Sequence, residues 1–174
     1  MSLSMYEASI PGFVSILKSL SAILDKAEAF AEAKKIEPSV LVNARLAADM
    51  FPLSRQIQIA TDGVKGCAAR LAEVEVPSYP DTETTFPELK ARIEKTVAFL
   101  EGIDAARFEG AEDRTIALKL GPTEVEFPAK VYLFQFVIPN VYFHATTTYS
   151  ILRHNGVEIG KPDFLAGLGP YLGR

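Results

Sequence analysis

The feature that most constrains this chain is a helical period that recurs in four separate segments. In each segment apolar residues return in steps of three and four, which places them on one continuous face of a helix. These faces include Leu17, Leu20 and Leu24; Leu53, Ile57 and Val64; Leu89, Ile93 and Val97; and Phe134, Ile138 and Val141. Four such faces predict an all-α fold in which four helices bury one shared core.

Local signals predict where the first two helices begin. The first helix is expected at about residues 4–34, with Pro11 expected to kink or break it locally. The second is expected to start at Asp49, an aspartate N-cap followed by Pro52 in the first turn. A cap would explain Asp49 without any role in chemistry.

The connection between helices two and three is long enough to set the topology. The stretch EVEVPSYPDTET, residues 73–84, contains two prolines and can extend along a whole neighbouring helix. Such a crossover predicts that helices two and three are parallel. Thr85 followed by Glu88 forms a capping-box pattern at the start of helix three.

A change of period precedes the last helix. Residues 114–128 alternate apolar and polar side chains around Gly121, which predicts a small β-hairpin. The last helix then follows, with Pro139 expected to bend it and Gly156 expected to end it. The predicted fold is therefore a four-helix bundle with a small hairpin, formed by residues 1–174 as a single domain.

Composition narrows the classes of function. The net charge is −4 and the 18 Lys and Arg residues are dispersed, so a nucleic-acid partner is not expected. The sequence shows neither a membrane span nor a signal peptide, and the single Cys67 suits a reducing compartment, so a cytoplasmic protein is predicted. Hydrophobic residues make up 48% of the chain, which favours a wide pocket or a homodimer interface.

Few residues carry the signature of catalysis. His154 lies in the last turn of the fourth helix, where it can interact with the helix dipole. His144 lies on the inward face of the same helix, one turn after Asn140. No nucleophile elbow and no glycine-rich phosphate loop occurs, and no cofactor is predicted. His144 is thus the one histidine that merits a functional hypothesis.

The layout and the end of the last helix together resemble a known superfamily. HATTTYSILRHNG, residues 144–156, is similar to the H-x8-R-x2-G close of the last helix in DinB/YfiT-like four-helix bundles. The chain resembles an uncharacterised bacterial family of that superfamily, filed among domains of unknown function. The resemblance implies a DinB-like bundle, and it raises the metal-dependent enzyme activity proposed for the superfamily.

Members of the superfamily typically hold a divalent metal with three histidines, one in helix two and an H-x-x-x-H pair in helix four. Carried over by position, these ligands fall on Gln56, Asn140 and His144, so two of the three imidazoles are replaced by amides. Amide oxygens are weak neutral ligands, and the set retains one strong donor. The resemblance therefore implies a metal site that has lost two of its three ligands, and we expect no tightly bound metal.

Three functional hypotheses stay open from the sequence. The first is a homodimeric bundle that binds a small ligand in a polar cluster of Gln56, Asn140 and His144. The second is a metal-dependent hydrolase, or a thiol-linked transferase or isomerase, with a degenerate site of Asp49, Asn140 and His144. The third is a protein-interaction module that uses the hairpin or the apolar tail from Phe164 to Leu172. Whether the protein is an enzyme is left open.

Overall fold

The computed structural model describes residues 3–171, and their side chains apart from those of residues 120 and 169–171. Its long helices are α1 (Ile10–Lys34), α3 (Leu53–Leu71), α4 (Phe86–Glu101) and α6 (Ile138–His154). Shorter elements lie between and after them: α2 (Pro38–Val42), β1 (Thr115–Leu120), β2 (Thr123–Pro128), α5 (Ala129–Val131) and α7 (Lys161–Phe164). The predicted four-helix bundle with a hairpin before the last helix is confirmed.

The first helix begins later than predicted. Residues 5–9 form turns, and α1 starts at Ile10 with Pro11 in its first turn. Proline is tolerated there because the N–H groups of the first turn have no carbonyl partner within the helix, so the N–H that proline lacks costs no hydrogen bond. Pro11 therefore starts the helix and does not kink it.

The predicted aspartate cap on the second long helix is wrong. Asp49 is exposed in a turn, the N-cap of α3 is Pro52, and no side chain caps this helix. The backbone supplies a substitute, because the Leu53 N–H donates to the Ala44 carbonyl at 2.9 Å. The connection from α1 also contains the short helix α2, which the sequence did not predict.

The crossover behaves as expected. Residues 72–85 run back along α3, where Asp81 pairs with Arg55 and Glu83 accepts a hydrogen bond from Gln58 at 3.0 Å. This return makes α3 and α4 parallel. The Thr85 hydroxyl accepts from the Glu88 N–H, and the Glu88 carboxylate accepts from the Thr85 N–H, so the predicted capping box is present.

The last helical region is not one regular helix. The antiparallel hairpin turns at Gly121, whose φ of +61° favours glycine. After α5, residues Tyr132–Val137 adopt a π-helix, and Pro139 lies in the first turn of α6 directly behind it. Proline has no N–H to donate to a carbonyl one turn back. Because that helical hydrogen bond is missing, a wider π-helical turn is tolerated just before Pro139. Pro139, which was predicted to bend the middle of one long helix, therefore lies at the start of α6, after a π-helical segment.

The four long helices enclose the core, and the C-terminal segment covers one side. Cys67 is buried in α3, and Phe164 of α7 packs edge-to-face on Tyr149 with ring centroids 6.1 Å apart. The predicted docking tail is therefore partly packed, and its last residue, Leu172, lies outside the described residues. Within residues 3–171, no helix has the length and apolar character needed to cross a membrane.

Candidate functional site

The polar residues singled out by the sequence lie along one seam, where α6 packs against α3. At one end of this seam Nδ1 of His144 lies 2.6 Å from Oε1 of Gln56, and the Gln56 amide nitrogen donates to the Phe51 carbonyl at 2.9 Å. An amide oxygen accepts only, so Nδ1 carries the proton and donates. Gln56 is thereby fixed at both ends and holds the imidazole in one tautomer, which leaves Nε2 as an acceptor.

Burial and charge both keep this imidazole neutral. His144 is 8% exposed, and desolvation lowers its pKa below the ordinary value, with the nearby Arg55 charge lowering it further. The ring of Phe143 packs edge-on against the imidazole at 5.3 Å between centroids. A neutral imidazole with a free Nε2 can accept a proton or a hydrogen bond.

Asn140 occupies a different part of the seam. Among residues 3–171 its side chain has no hydrogen-bond partner, and it lines a surface groove of about 250 Å³. A Cβ placed on Gly63 of α3 would lie 3.2 Å from the Val141 side chain and 3.8 Å from Nδ2 of Asn140. Gly63 therefore lets α6 approach closely, and the Asn140 amide stands at the edge of that contact.

The groove continues from Asn140 to a second polar group. Its apolar lining comes from Ile59, Leu118, Phe136 and Val137. At its other end Nη1 of Arg70 donates to the Tyr132 hydroxyl at 3.4 Å, and burial raises the pKa of Tyr132 to about 12. A phenol with that pKa keeps its proton throughout the physiological range and can donate a hydrogen bond.

The seam does not offer a matching set of metal ligands. Gln56 and His144 already bond each other, the Asn140 amide forms no bond with either, and Asp49 is exposed in the turn before α3. No group of three His, Cys, Asp or Glu suited to a metal occurs in the described part of the chain. The three residues that the resemblance put in place of the histidines supply one imidazole and two amides, which do not fit a three-histidine centre.

A second polar cluster lies across α3, beneath the crossover. The Arg92 guanidinium donates to the Thr61 hydroxyl at 2.8 Å, to Asp62 at 2.8 Å and to Glu83 at 3.0 Å. It also bonds the Pro80 carbonyl at 3.1 Å. Every nitrogen of this guanidinium has a protein partner, so the cluster serves to fasten the crossover to the bundle.

Arg70, Tyr132 and Arg92 were not singled out from the sequence. One signal for the groove was present, because Gly63 and Gly66 stand inside a predicted helix where glycine is unfavourable. Interior glycines in a helix often mark a close approach of another group. The polar partners of the two arginines depend on tertiary contacts that helical spacing does not reveal.

Comparisons with known proteins place this geometry in a family. The model of a domain of unknown function, DUF1993, matches residues 5–165. The chain is also similar to the crystal structure of a DinB family member protein from Shewanella denitrificans, with 45% identity and a TM-score of 0.84 over 92% of this chain and 91% of that one. No curated protein matches. The chain therefore belongs to the DUF1993 family and has a DinB-like fold.

Proposed function

We propose that this protein binds a small organic molecule in the groove between α3 and α6. The observation that carries the proposal is the Asn140 side chain, an amide without a protein partner among residues 3–171 that opens onto a largely apolar groove. Small-molecule sites commonly combine apolar walls with a few polar groups that fix orientation. Asn140, Arg70 and Tyr132 are such groups here.

The local backbone supports the same proposal. Tyr132, Phe136 and Val137 reach the groove from the π-helical segment, and π-helical turns are frequent at functional sites. Gln56 and His144 form the closed end of the seam, where their mutual hydrogen bond fixes the position of α6 against α3. We infer that His144 supports the site by positioning α6.

A screen of uncharged and charged fragments by ligand-observed NMR tests the proposal. Fragments that bind the wild-type protein should lose binding in Asn140→Phe, because the larger ring fills the groove. Thr146→Phe is the matched control, since Thr146 is exposed on the same helix and lies outside the groove. Absence of binding fragments, or equal binding to both variants, would contradict the proposal.

We also propose that the seam holds no resident transition metal. One neutral imidazole with two amides lacks the charge and the donor strength that hold zinc or nickel. Mass spectrometry of tagless protein, purified without chelator, should find well below one metal per chain, with His144→Ala as control. A stoichiometric metal that disappears in the variant would support the degenerate-site enzyme, and Asp49 would be the next residue to replace.

The predicted homodimer stays a proposal, and a specific observation favours it. Phe51 and Phe143 flank the Gln56–His144 pair and are 55% and 57% exposed, and Tyr142, next to Phe143 in sequence, is 40% exposed. Exposed aromatic groups of this kind are enriched at subunit interfaces. We infer that a second copy of the chain covers this aromatic surface, which we define as Phe51, Tyr142 and Phe143.

Light scattering after size-exclusion chromatography tests the dimer. Wild-type protein should elute with twice the chain mass, and Phe143→Asp should shift it towards the monomer because a charge enters an apolar contact. Leu165→Asp is the control, since Leu165 is also exposed but belongs to the C-terminal segment. A monomeric wild-type protein would remove the dimer and favour an interaction module with another partner.

A further inference from the structure

We propose that the ligand of the groove is a monocarboxylate with an apolar body, and that Arg70 and Tyr132 bind its carboxylate. This inference rests on the proposed function, since it concerns the same groove. It follows from the charge at one end of the groove, the amide at the other, and the apolar wall between them.

The first observation is that Arg70 lacks a carboxylate partner. No salt bridge pairs its guanidinium among residues 3–171, and its one side-chain hydrogen bond is the 3.4 Å contact with the Tyr132 hydroxyl. Asp62 also lines the groove, but its Oδ1 already accepts from Lys65 and Arg92 at 2.8 Å each. The groove thus contains one neutralised carboxylate and one half-buried cation with donors to spare.

The second observation is that α3 is shaped to hold this guanidinium in place. A Cβ on Gly66 would lie 2.5 Å from Nη1 of Arg70, so the guanidinium folds back over the space that a side chain would fill. Glycine inside a helix costs about 1 kcal/mol relative to alanine. The vacant position lets Arg70 reach Tyr132 at the groove.

Two donors therefore meet where a carboxylate would bind. The guanidinium presents several N–H groups in a plane that matches a carboxylate, and the Tyr132 hydroxyl accepts from Arg70 and can donate its own proton. Burial raises the pKa of Tyr132, which keeps that proton available. No carboxylate among residues 3–171 pairs with Arg70, so its remaining N–H groups are available to a ligand.

The length of the groove limits the rest of the ligand. Asn140 lies beside Gly63, and the Arg70 guanidinium folds back to Gly66, three residues further along α3, which corresponds to about 4.5 Å along a helix. Phe136, Leu118 and Ile59 contribute apolar side chains to the lining of the groove. The fitting molecule has a carboxylate at one end, an alkyl or aryl body, and space for one polar group near the Asn140 amide.

The test compares an acid with its neutral isostere. 4-Phenylbutanoate and 4-phenylbutanamide are titrated into ¹⁵N-labelled protein, and amide shifts are followed in residues 59–70 and 132–140. The acid should bind about tenfold or more tightly than the amide, because hydrogen bonds to a charged group contribute that much. Arg70→Gln should remove this preference by weakening the binding of the acid to about that of the amide.

Gly66→Ala is a second variant that keeps the charge. The added methyl group displaces the guanidinium and should weaken acid binding while the helix itself becomes more stable. The inference is overturned if the amide binds as well as the acid, if Arg70→Gln retains the preference, or if neither probe shifts the groove residues. The fragment screen with Asn140→Phe decides the proposed function separately, since it includes uncharged fragments.

Discussion

Arg92 and Arg70 differ in how completely the protein satisfies their charge. The Arg92 side chain is 2% exposed, bonds a hydroxyl and a backbone carbonyl, and pairs with three carboxylates. Arg70 lies at the edge of an open groove and contacts one phenol. A buried guanidinium whose N–H groups all bond protein atoms stabilises the fold. A guanidinium beside a groove with N–H groups left unbonded is available to a ligand. The difference separates the structural polar cluster from the candidate binding site.

Replacing Arg92 should give the largest loss of stability. Arg92→Met leaves Asp62 and Glu83 without their shared cation, so we expect the free energy of unfolding in urea to fall by about 3 kcal/mol. Lys95→Met is the matched control, because Lys95 is exposed and its ammonium lies 4.1 Å from the Tyr79 ring centre. That variant should lose less than about 1 kcal/mol. Equal losses would show that Arg92 is no more structural than a surface lysine.

The Gln56–His144 bond should rank next. Gln56→Leu removes the acceptor of the imidazole N–H and the donor to the Phe51 carbonyl, so the free energy of unfolding should fall by about 1–2 kcal/mol. Gln135→Leu, at an exposed position of the π-helical segment, serves as control and should stay within about 0.5 kcal/mol. An unchanged Gln56→Leu protein would mean that this pair does not position α6.

Stability should also depend on pH through His144. Burial lowers the pKa of the folded imidazole below the unfolded value of about 6.5, so between these two values the unfolded chain binds more protons. Stability must then decrease as pH falls from about 6.5 towards the folded pKa. Urea unfolding at several pH values should show this decrease in the free energy of unfolding for the wild-type protein and not for His144→Gln. His154→Gln, at an exposed histidine of the same helix, should behave as the wild type.

Much of the fold was predictable because it depends on local chemistry. The apolar faces around Leu20, Ile57 and Ile93 require burial whatever their neighbours are, and the Thr85 capping box is complete within four residues. The predicted Asp49 cap failed because the Ala44 carbonyl binds the N–H of Leu53, a contact from the preceding turn. Prediction from sequence was thus reliable where partners are close in the chain.

The candidate site was less predictable for the same reason. His144 and Gln56 are 88 residues apart in sequence, and only the resemblance to a family suggested their contact, which the structure contains. Arg70 and Tyr132 lie 62 residues apart and no motif linked them. Tyr132 is also the first residue of the π-helical segment, a departure from the regular helix that apolar spacing does not encode.

Asn140 should give the smallest effect on stability and thereby complete the comparison. Asn140→Leu removes an amide that has no hydrogen-bond partner in the described residues, so no donor or acceptor of the protein is left unsatisfied. The free energy of unfolding should change by less than about 0.5 kcal/mol. Gln56→Leu, which also replaces an amide by leucine, is the control and should lower the free energy of unfolding several times more. If Asn140→Leu destabilises the protein as strongly as Gln56→Leu, then Asn140 is a structural residue of the seam, and its amide is not free to bind a ligand.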